Sequence, residues 1–148
     1  MAELPGSVLF ACTMNQIRSP MAEALLKFLH GSRIYVQSAG VRETGEVDPF
    51  AVIALDELGV DLSRHRPRTF DRLDDDYFDL IVSLAPEAQH RAVELTRHNA
   101  CELEFWRMPD PSIVEGSREQ RLDAYRDLRD LLLRRLRERF PPQGGPSF

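Results

Sequence analysis

The residues with the clearest chemical potential are Cys12 and Arg18, separated by Thr13-Met14-Asn15-Gln16-Ile17. The apolar run Val8-Leu9-Phe10-Ala11 leads into the cysteine, and Ser19-Pro20-Met21-Ala22-Glu23-Ala24-Leu25-Leu26 follows the arginine with a helical pattern. A loop between a strand and a helix start offers unpaired backbone N–H groups and partial positive charge to whatever it encloses. The five residues of this loop suffice to wrap one tetrahedral oxyanion, with several amides pointing inward as a nest. Arg18 would grip two of the oxygens in a bidentate fork that lysine cannot copy. The same positive field would hold Cys12 as a thiolate beneath the anion it attacks. Ser19 would donate its hydroxyl to that sulfur, and Asn15 tolerates the left-handed backbone a sharply curved loop demands. A cysteine at a strand end is most often a small buried hydrophobe, and C-x5-R alone recurs by chance. The apolar strand before it and the Ser19-Pro20 helix start after it favour the nucleophile.

The second chemical element is Pro109-Asp110-Pro111. A thiolate attacking phosphorus needs the leaving oxygen protonated, and a carboxylic acid on a loop stiffened by two prolines suits that role. The same carboxylate could then deprotonate the water that hydrolyses a phosphocysteine. Taken alone, Asp-Pro is ordinary turn chemistry.

These residues must be positioned by strands and helices, which the pattern supplies in alternation. Ser7–Ala11 reads as the first strand and Ser19–Gly31 as a helix with Ala22, Leu25, Leu26 and Leu29 on one face. Arg33–Ser38 reads as the second strand, with Ser38-Ala39-Gly40 turning the chain. Asp48 and Pro49 form an N-cap and N1 pair for a helix striped by Val52, Ile53, Leu55 and Leu58 and stopped at Gly59. A short helix around Leu73 is expected in the polar stretch Asp71–Phe78. Asp79–Leu84 suits a central parallel strand. Pro86–Arg97 reads as a helix with Ala88, Val93 and Leu95 inward, and Cys101–Trp106 as a last, edge strand. Gln120–Phe140 is an amphipathic helix on Leu122, Tyr125, Leu128, Leu132 and Leu136. Phe50, Phe105 and Trp106 are assigned to the core. The order β-α-β-α-β-α-β-α predicts a single doubly wound α/β domain: a four-stranded parallel sheet with helices on both faces, in the flavodoxin-like order 2-1-3-4. A ligand loop after the first strand fits the switch-point rule for such sheets. Residues 1–6 are expected to be a disordered lead, 7–140 the domain and 141–148 a flexible tail.

The chain has 148 residues, enough for one domain, with 43% hydrophobic and 29% charged residues. A net charge of −5 leaves no nucleic-acid footprint, and the arginines near the C-terminus are balanced by acids. No apolar run approaches the ~18 residues of a membrane span, and no secretion signal is evident. The cysteines are Cys12 and Cys101, and a nucleophilic thiol is best kept reduced in the cytoplasm. No metal or cofactor is required by the chemistry envisaged.

From about Ser7 to Phe140, the chain resembles the low-molecular-weight protein tyrosine phosphatase family, which shares its fold with thioredoxin-coupled arsenate reductases. Cys12, Asn15, Arg18, Ser19 and Pro20 carry the resemblance in the phosphate loop, and the Asp110-Pro111 pair matches it in place and order. The resemblance implies catalysis by Cys12, Arg18 and Asp110. It implies phosphate binding by Thr13, Met14, Asn15, Gln16, Ile17, Arg18 and Ser19, and support of that loop by Asn15, Ser19, Ser38 and His65. The implied partner is a phosphotyrosine protein, with a small phosphate ester open, and no nucleic acid or membrane.

Three departures bear on substrate. Met14 stands where the family usually has glycine. Ile17 stands where it often has a second cysteine. Ser112 stands where many tyrosine phosphatases place an aromatic residue, and no aromatic lies between Val41 and Val47. The rival reading is arsenate reductase, whose compared mechanism needs two further cysteines. Leu84-Ala85-Pro86-Glu87-Ala88-Gln89 supplies none there, so an external thiol would have to serve. A third reading is a phosphate- or phosphoprotein-binding module without turnover.

Overall fold

A computed structural model describes residues 4–42, 45–75, 77–97 and 100–142. Four strands, β1 (Ser7–Cys12), β2 (Tyr35–Gly40), β3 (Leu80–Ser83) and β4 (Glu102–Phe105), pair in parallel in the order β2-β1-β3-β4. Helices α1 (Arg18–His30), α2 (Pro49–Asp56), α3 (Pro86–Leu95) and α4 (Arg118–Arg139) make the connections and cover the sheet. The expected doubly wound architecture and strand order are those observed.

Alternation along β1 explains the two-sided core. Val8, Phe10 and Cys12 face one layer, with Met21, Leu25 and Leu26 of α1, Ala54 and Leu55 of α2, and Leu128, Leu132 and Leu136 of α4. Leu9 and Ala11 face the other, with Ile81, Ala88 and Ala92 of α3, and Phe70 and Phe78. All five β1 residues from Val8 to Cys12 are buried, as a central parallel strand requires.

Several boundaries differ from the sequence expectation for identifiable reasons. Gly31–Arg33 forms a 3-10 turn, and β2 starts at Tyr35 and runs on through Gly40. Ser38-Ala39-Gly40 is therefore strand and not turn, because its pairing with β1 continues to Cys12↔Gly40. In α2 the buried positions are Ala51, Ala54 and Leu55, while Val52 and Ile53 are half-buried and Leu58 lies outside the helix and exposed. The helix closes with Gly59 in the left-handed region at φ +76°. Gly59 N donates to Asp56 O and Val60 N to Leu55 O, a Schellman arrangement. In place of a helix around Leu73, a 3-10 turn spans Phe70–Arg72; Asp76 lies outside the described residues. Helix α3 buries Ala88 and Ala92 and leaves Val93 exposed. Phe105, expected in the core, is 41% exposed on the edge strand, whereas Trp106 is buried and Phe50 half-buried. Helix α4 begins two residues early because Ser117 and Gln120 form a reciprocal capping box. At the N-terminal side, Leu4 packs on the core and Gly6 N donates to Asp79 Oδ2 at 2.9 Å. The remainder of the expected lead, Met1–Glu3, and tail residues 143–148 lie outside the described residues. Among the described residues no helix is long and apolar enough to cross a membrane.

The contact of α4 with the core is a packing interaction that a truncation should expose. Leu132 has no exposed surface, so Leu132→Ala is expected to lower unfolding free energy by about 3 kcal/mol in urea denaturation, with an unchanged slope.

Candidate active site

The loop from Cys12 to Arg18 closes back on itself at the carboxyl end of β1. Asn15 is the sole described non-glycine residue with positive φ, at 56°, and this left-handed turn aims its backbone N–H at Cys12 Sγ from 3.3 Å. Helix α1 starts directly behind, and no side chain caps it at Ile17. Its first amides therefore remain available to an anion.

The side chain of Asn15 is wholly buried and fully used. Its Nδ2 donates to Ser19 Oγ and to Ser38 Oγ, both at 2.9 Å. Its Oδ1 accepts from Arg68 N at 2.9 Å and from His65 Nε2 at 3.0 Å. His65 Nε2 also lies 3.1 Å from Asn15 O. Both of its partners can only accept, so Nε2 carries the hydrogen.

Directions follow along the chain of bonds. Glu23 Oε1 can only accept, so Ser38 donates its hydroxyl to it at 2.5 Å. Ser38 and Ser19 then each accept from Asn15. Ser19 Oγ, 2.9 Å from Cys12 Sγ, keeps its own hydrogen for the sulfur. Donors thus diverge from the buried Asn15 amide, through Ser38 to Glu23 on one side and through Ser19 to the Cys12 sulfur on the other. Glu23 is also held by Lys27 Nζ at 2.5 Å and faces His65 Nδ1 at 4.0 Å. Burial holds His65 below the usual imidazole range, the Glu23 carboxylate opposing the shift.

Beneath the loop, Gly40 is a space requirement. A Cβ there would stand 2.8 Å from both Asn15 N and Met14 C, which are backbone atoms that cannot move aside. The β2 end is further stitched to the loop by Val41 N to Cys12 O at 3.2 Å and Arg42 N to Thr13 O at 2.9 Å.

Arg18 links the two chemical elements. Its guanidinium donates to Thr13 Oγ1 at 3.4 Å across the loop, and to Met108 O at 3.2 Å, two residues before Asp110. Asp110 Oδ1 accepts from Ser112 N at 2.9 Å and Ser112 Oγ at 2.6 Å. That Asx-type turn fixes the carboxyl group and leaves Oδ2 without these donors. Cys12, Thr13, Met14, Gln16, Ile17, Arg18 and Asp110 all line one cleft of about 450 Å³, joined by Arg42, Asp48, Glu87, Ser112 and Ile113. Asn15 and Ser19 lie behind the loop, with Ser38 and His65. Asp48, N-cap of α2, accepts from Tyr125 OH at 2.9 Å. Burial, reinforced by that carboxylate, pushes the Tyr125 hydroxyl well up.

Glu23 and Arg68 carry no signal in the sequence, and Asp48 is read there only as the N-cap of α2. Glu23 sits in an ordinary helical run and resembles a surface carboxylate. Gly40 has a signal, the Ser38-x-Gly40 spacing, from which the sequence reading takes a turn and a bracing role for the serine alone.

Cys101 occupies the opposite end of the sheet. Ala11 is level with Ser83 and Phe105 across β1, β3 and β4. Cys101 is therefore five residues behind Cys12 in the strand direction, about 16 Å, and two strands across. No direct disulfide can span that gap. Burial also pushes the Cys101 thiol up.

Two outcomes are expected from this geometry. Gly40→Ala should cost about 2 kcal/mol of stability by overpacking, and weaken inorganic phosphate binding by about tenfold in equilibrium dialysis as the loop is displaced. His65 has a depressed folded value, so its contribution to stability is present above the ordinary imidazole range and is lost as pH falls through the folded value. Urea midpoints of the wild type should fall on acidification below about pH 6.5, and His65→Gln should flatten that part of the slope.

The comparisons with known proteins agree with this architecture. Residues 7–140 match the family model described as low molecular weight phosphotyrosine protein phosphatase. The arsenate reductase of Bacillus subtilis (strain 168) is 34% identical over 134 residues, covering 88% of this chain and 92% of that protein. A crystal structure of a YwlE mutant from Bacillus subtilis superposes with TM-score 0.71 at 28% identity, covering 89% of this chain and 94% of that one. The low molecular weight protein tyrosine phosphatase from T. tengcongensis superposes with TM-score 0.72 at 26% identity, covering 88% and 94%. With the strand order and the matched span in agreement, the chain belongs to the low molecular weight phosphotyrosine protein phosphatase family.

Proposed function

We propose that this protein is a phosphomonoesterase of the protein tyrosine phosphatase type that works through a phosphocysteine. The observation carrying the reading is the shared cleft in which Cys12, Arg18 and Asp110 meet. The Cys12 thiolate attacks phosphorus and forms an S–P bond as the P–O bond to the leaving group breaks. Asp110 gives its proton to the departing oxygen. Arg18 and the loop amides take up the charge on the equatorial oxygens as it develops. A water then attacks phosphorus and loses its proton to Asp110. The S–P bond breaks, which restores the thiolate and releases phosphate. Ser19 stabilises the sulfur as leaving group in this second half. A phosphorylated protein is the default substrate, and a reducing cytoplasm is the setting that keeps Cys12 competent.

Arsenate reduction is the competing reading, favoured by the name of the 34% identical relative. The placement of Cys101 argues that a resolving thiol would have to come from outside the chain.

The deciding experiment gives the purified protein para-nitrophenyl phosphate and phosphotyrosine peptides. A parallel arm offers arsenate with thioredoxin or glutathione systems. Turnover of esters, inhibition by vanadate and by thiol alkylation, and indifference to chelators are expected. Cys12→Ser should abolish turnover, and Asp110→Asn should lower kcat by about 10²-fold, with a larger loss for poorer leaving groups. Turnover of arsenate alone would overturn the phosphatase reading. Tight phosphate binding with no turnover would favour a binding module.

A further inference from the structure

Resting on the phosphatase reading, we propose that Arg118 and Arg121, stacked on Phe50 beside the cleft, take a carboxylate side chain of the substrate and so select phosphotyrosine sites flanked by aspartate or glutamate. The two arginines stand three apart at the start of α4 and therefore share a face. Their guanidinium carbons lie 5.5 and 4.9 Å from the centre of the Phe50 ring. A guanidinium resting on a phenyl ring is steadied by the π-face while its N–H edge stays open to an acceptor. Both side chains are exposed, and among the described residues neither is paired with a carboxylate. The neighbouring acids of the helix are committed elsewhere: Glu119 and Asp123 both bind Arg126, at 2.6 and 2.7 Å. Arg126 and Arg129 are in turn held by Glu57 at 2.7 Å, and Arg139 by Glu104. Arg118 and Arg121 are thus a pair of uncompensated cations on a chain of net charge −5.

The pair stands beside the reaction cleft. Phe50 lies in the first turn of α2, whose N-cap Asp48 lines the cleft and donates its backbone N–H to Gln16 O of the phosphate loop at 3.1 Å. The Phe50 ring meets the Tyr125 ring at 5.3 Å, and the Tyr125 hydroxyl donates to Asp48. Burial and that bond raise the Tyr125 hydroxyl, Asp110 adds to the shift and Arg121 opposes it, so the general acid and the guanidinium act on one group. Asp48 is engaged already, its oxygens accepting from Phe50 N at 2.8 Å and Tyr125 OH at 2.9 Å. A peptide whose phosphotyrosine enters the phosphate loop runs out over this rim or over the one where Arg42 is paired with Glu87 at 3.3 Å. On the near rim a substrate carboxylate meets two open guanidinium forks. An alanine there gains nothing, and a lysine is repelled.

The test measures kcat/KM on phosphotyrosine peptides of one length in which each flanking position carries glutamate, alanine or lysine in turn. On one flank the glutamate peptide is expected to exceed the alanine peptide by about tenfold, with the lysine peptide lower still. Raising salt from about 0.05 M to about 0.5 M should shrink that advantage to less than about threefold, since the contact is exposed. Arg118→Gln combined with Arg121→Gln should remove the advantage, while para-nitrophenyl phosphate and the alanine peptide stay within about twofold. Arg118→Glu combined with Arg121→Glu should turn the preference toward lysine, an outcome that lost packing on Phe50 cannot produce. A wild type indifferent to flanking charge, a glutamate advantage that survives the glutamine pair, or an equal loss on para-nitrophenyl phosphate overturns the proposal and leaves the phosphatase reading standing. Wild type that hydrolyses no ester overturns both.

Discussion

The structure turns on the side chain of Asn15, buried under a loop whose backbone it forces into the left-handed region. Four hydrogen-bonding groups from three separate segments converge on it: Ser19 of α1, Ser38 of β2, and His65 and Arg68 of the connection after α2. An amide has two donors and an acceptor with two lone pairs, and here all are satisfied. The curvature that aims the Asn15 amide at Cys12 is thus held by the tertiary fold. A loop of polar residues left to itself would sample many shapes, and the ordering entropy is met once, at folding. Preorganisation of this kind is what allows charge to be stabilised without reorganisation during a reaction.

The sheet order makes that convergence possible. β1 lies between β2 and β3, so the connections leaving β1 and β3 go to opposite faces of the sheet. A crevice opens at their carboxyl ends. β2 delivers Ser38 and Gly40 on one side of β1, while the chain after β4 delivers Asp110 on the other. Arg18 spans the gap, with one nitrogen on Thr13 and another on the carbonyl of Met108. Small residues matter as much as reactive ones. Gly40 permits a backbone-to-backbone approach that a single methyl would block.

Low molecular weight phosphatases and arsenate reductases share this scaffold, and the chain resembles both groups of relatives. The distinction rests on where sulfur is placed. In the segment after β3 this chain has Glu87, paired with Arg42 at the rim of the cleft. Its second cysteine sits at the amino end of the edge strand, two strands across from the first. A scaffold that binds tetrahedral oxyanions is common to both chemistries; the position of thiols decides which electrons can move.

The alternation of apolar runs and helical stripes was enough for the parallel sheet and the loop after β1, because these depend on local periodicity and on the handedness of crossovers. The types and spacing of Cys12, Asn15, Arg18 and Ser19, set between an apolar strand and a helix start, likewise spoke for an oxyanion loop. Strand ends and helix faces were less legible: β2 runs through Gly40 because β1 pairs with it that far, and Phe105 is exposed because β4 has no outer neighbour. Neither fact is local. The tertiary structure alone decided that Glu23 accepts from Ser38 beneath the loop, that Gly40 carries the loop on its missing side chain, and that Cys101 is out of reach. Residue type and spacing set what chemistry a segment can do. Which groups surround it is settled by contacts between segments far apart in the chain, and those exist only once the core has packed.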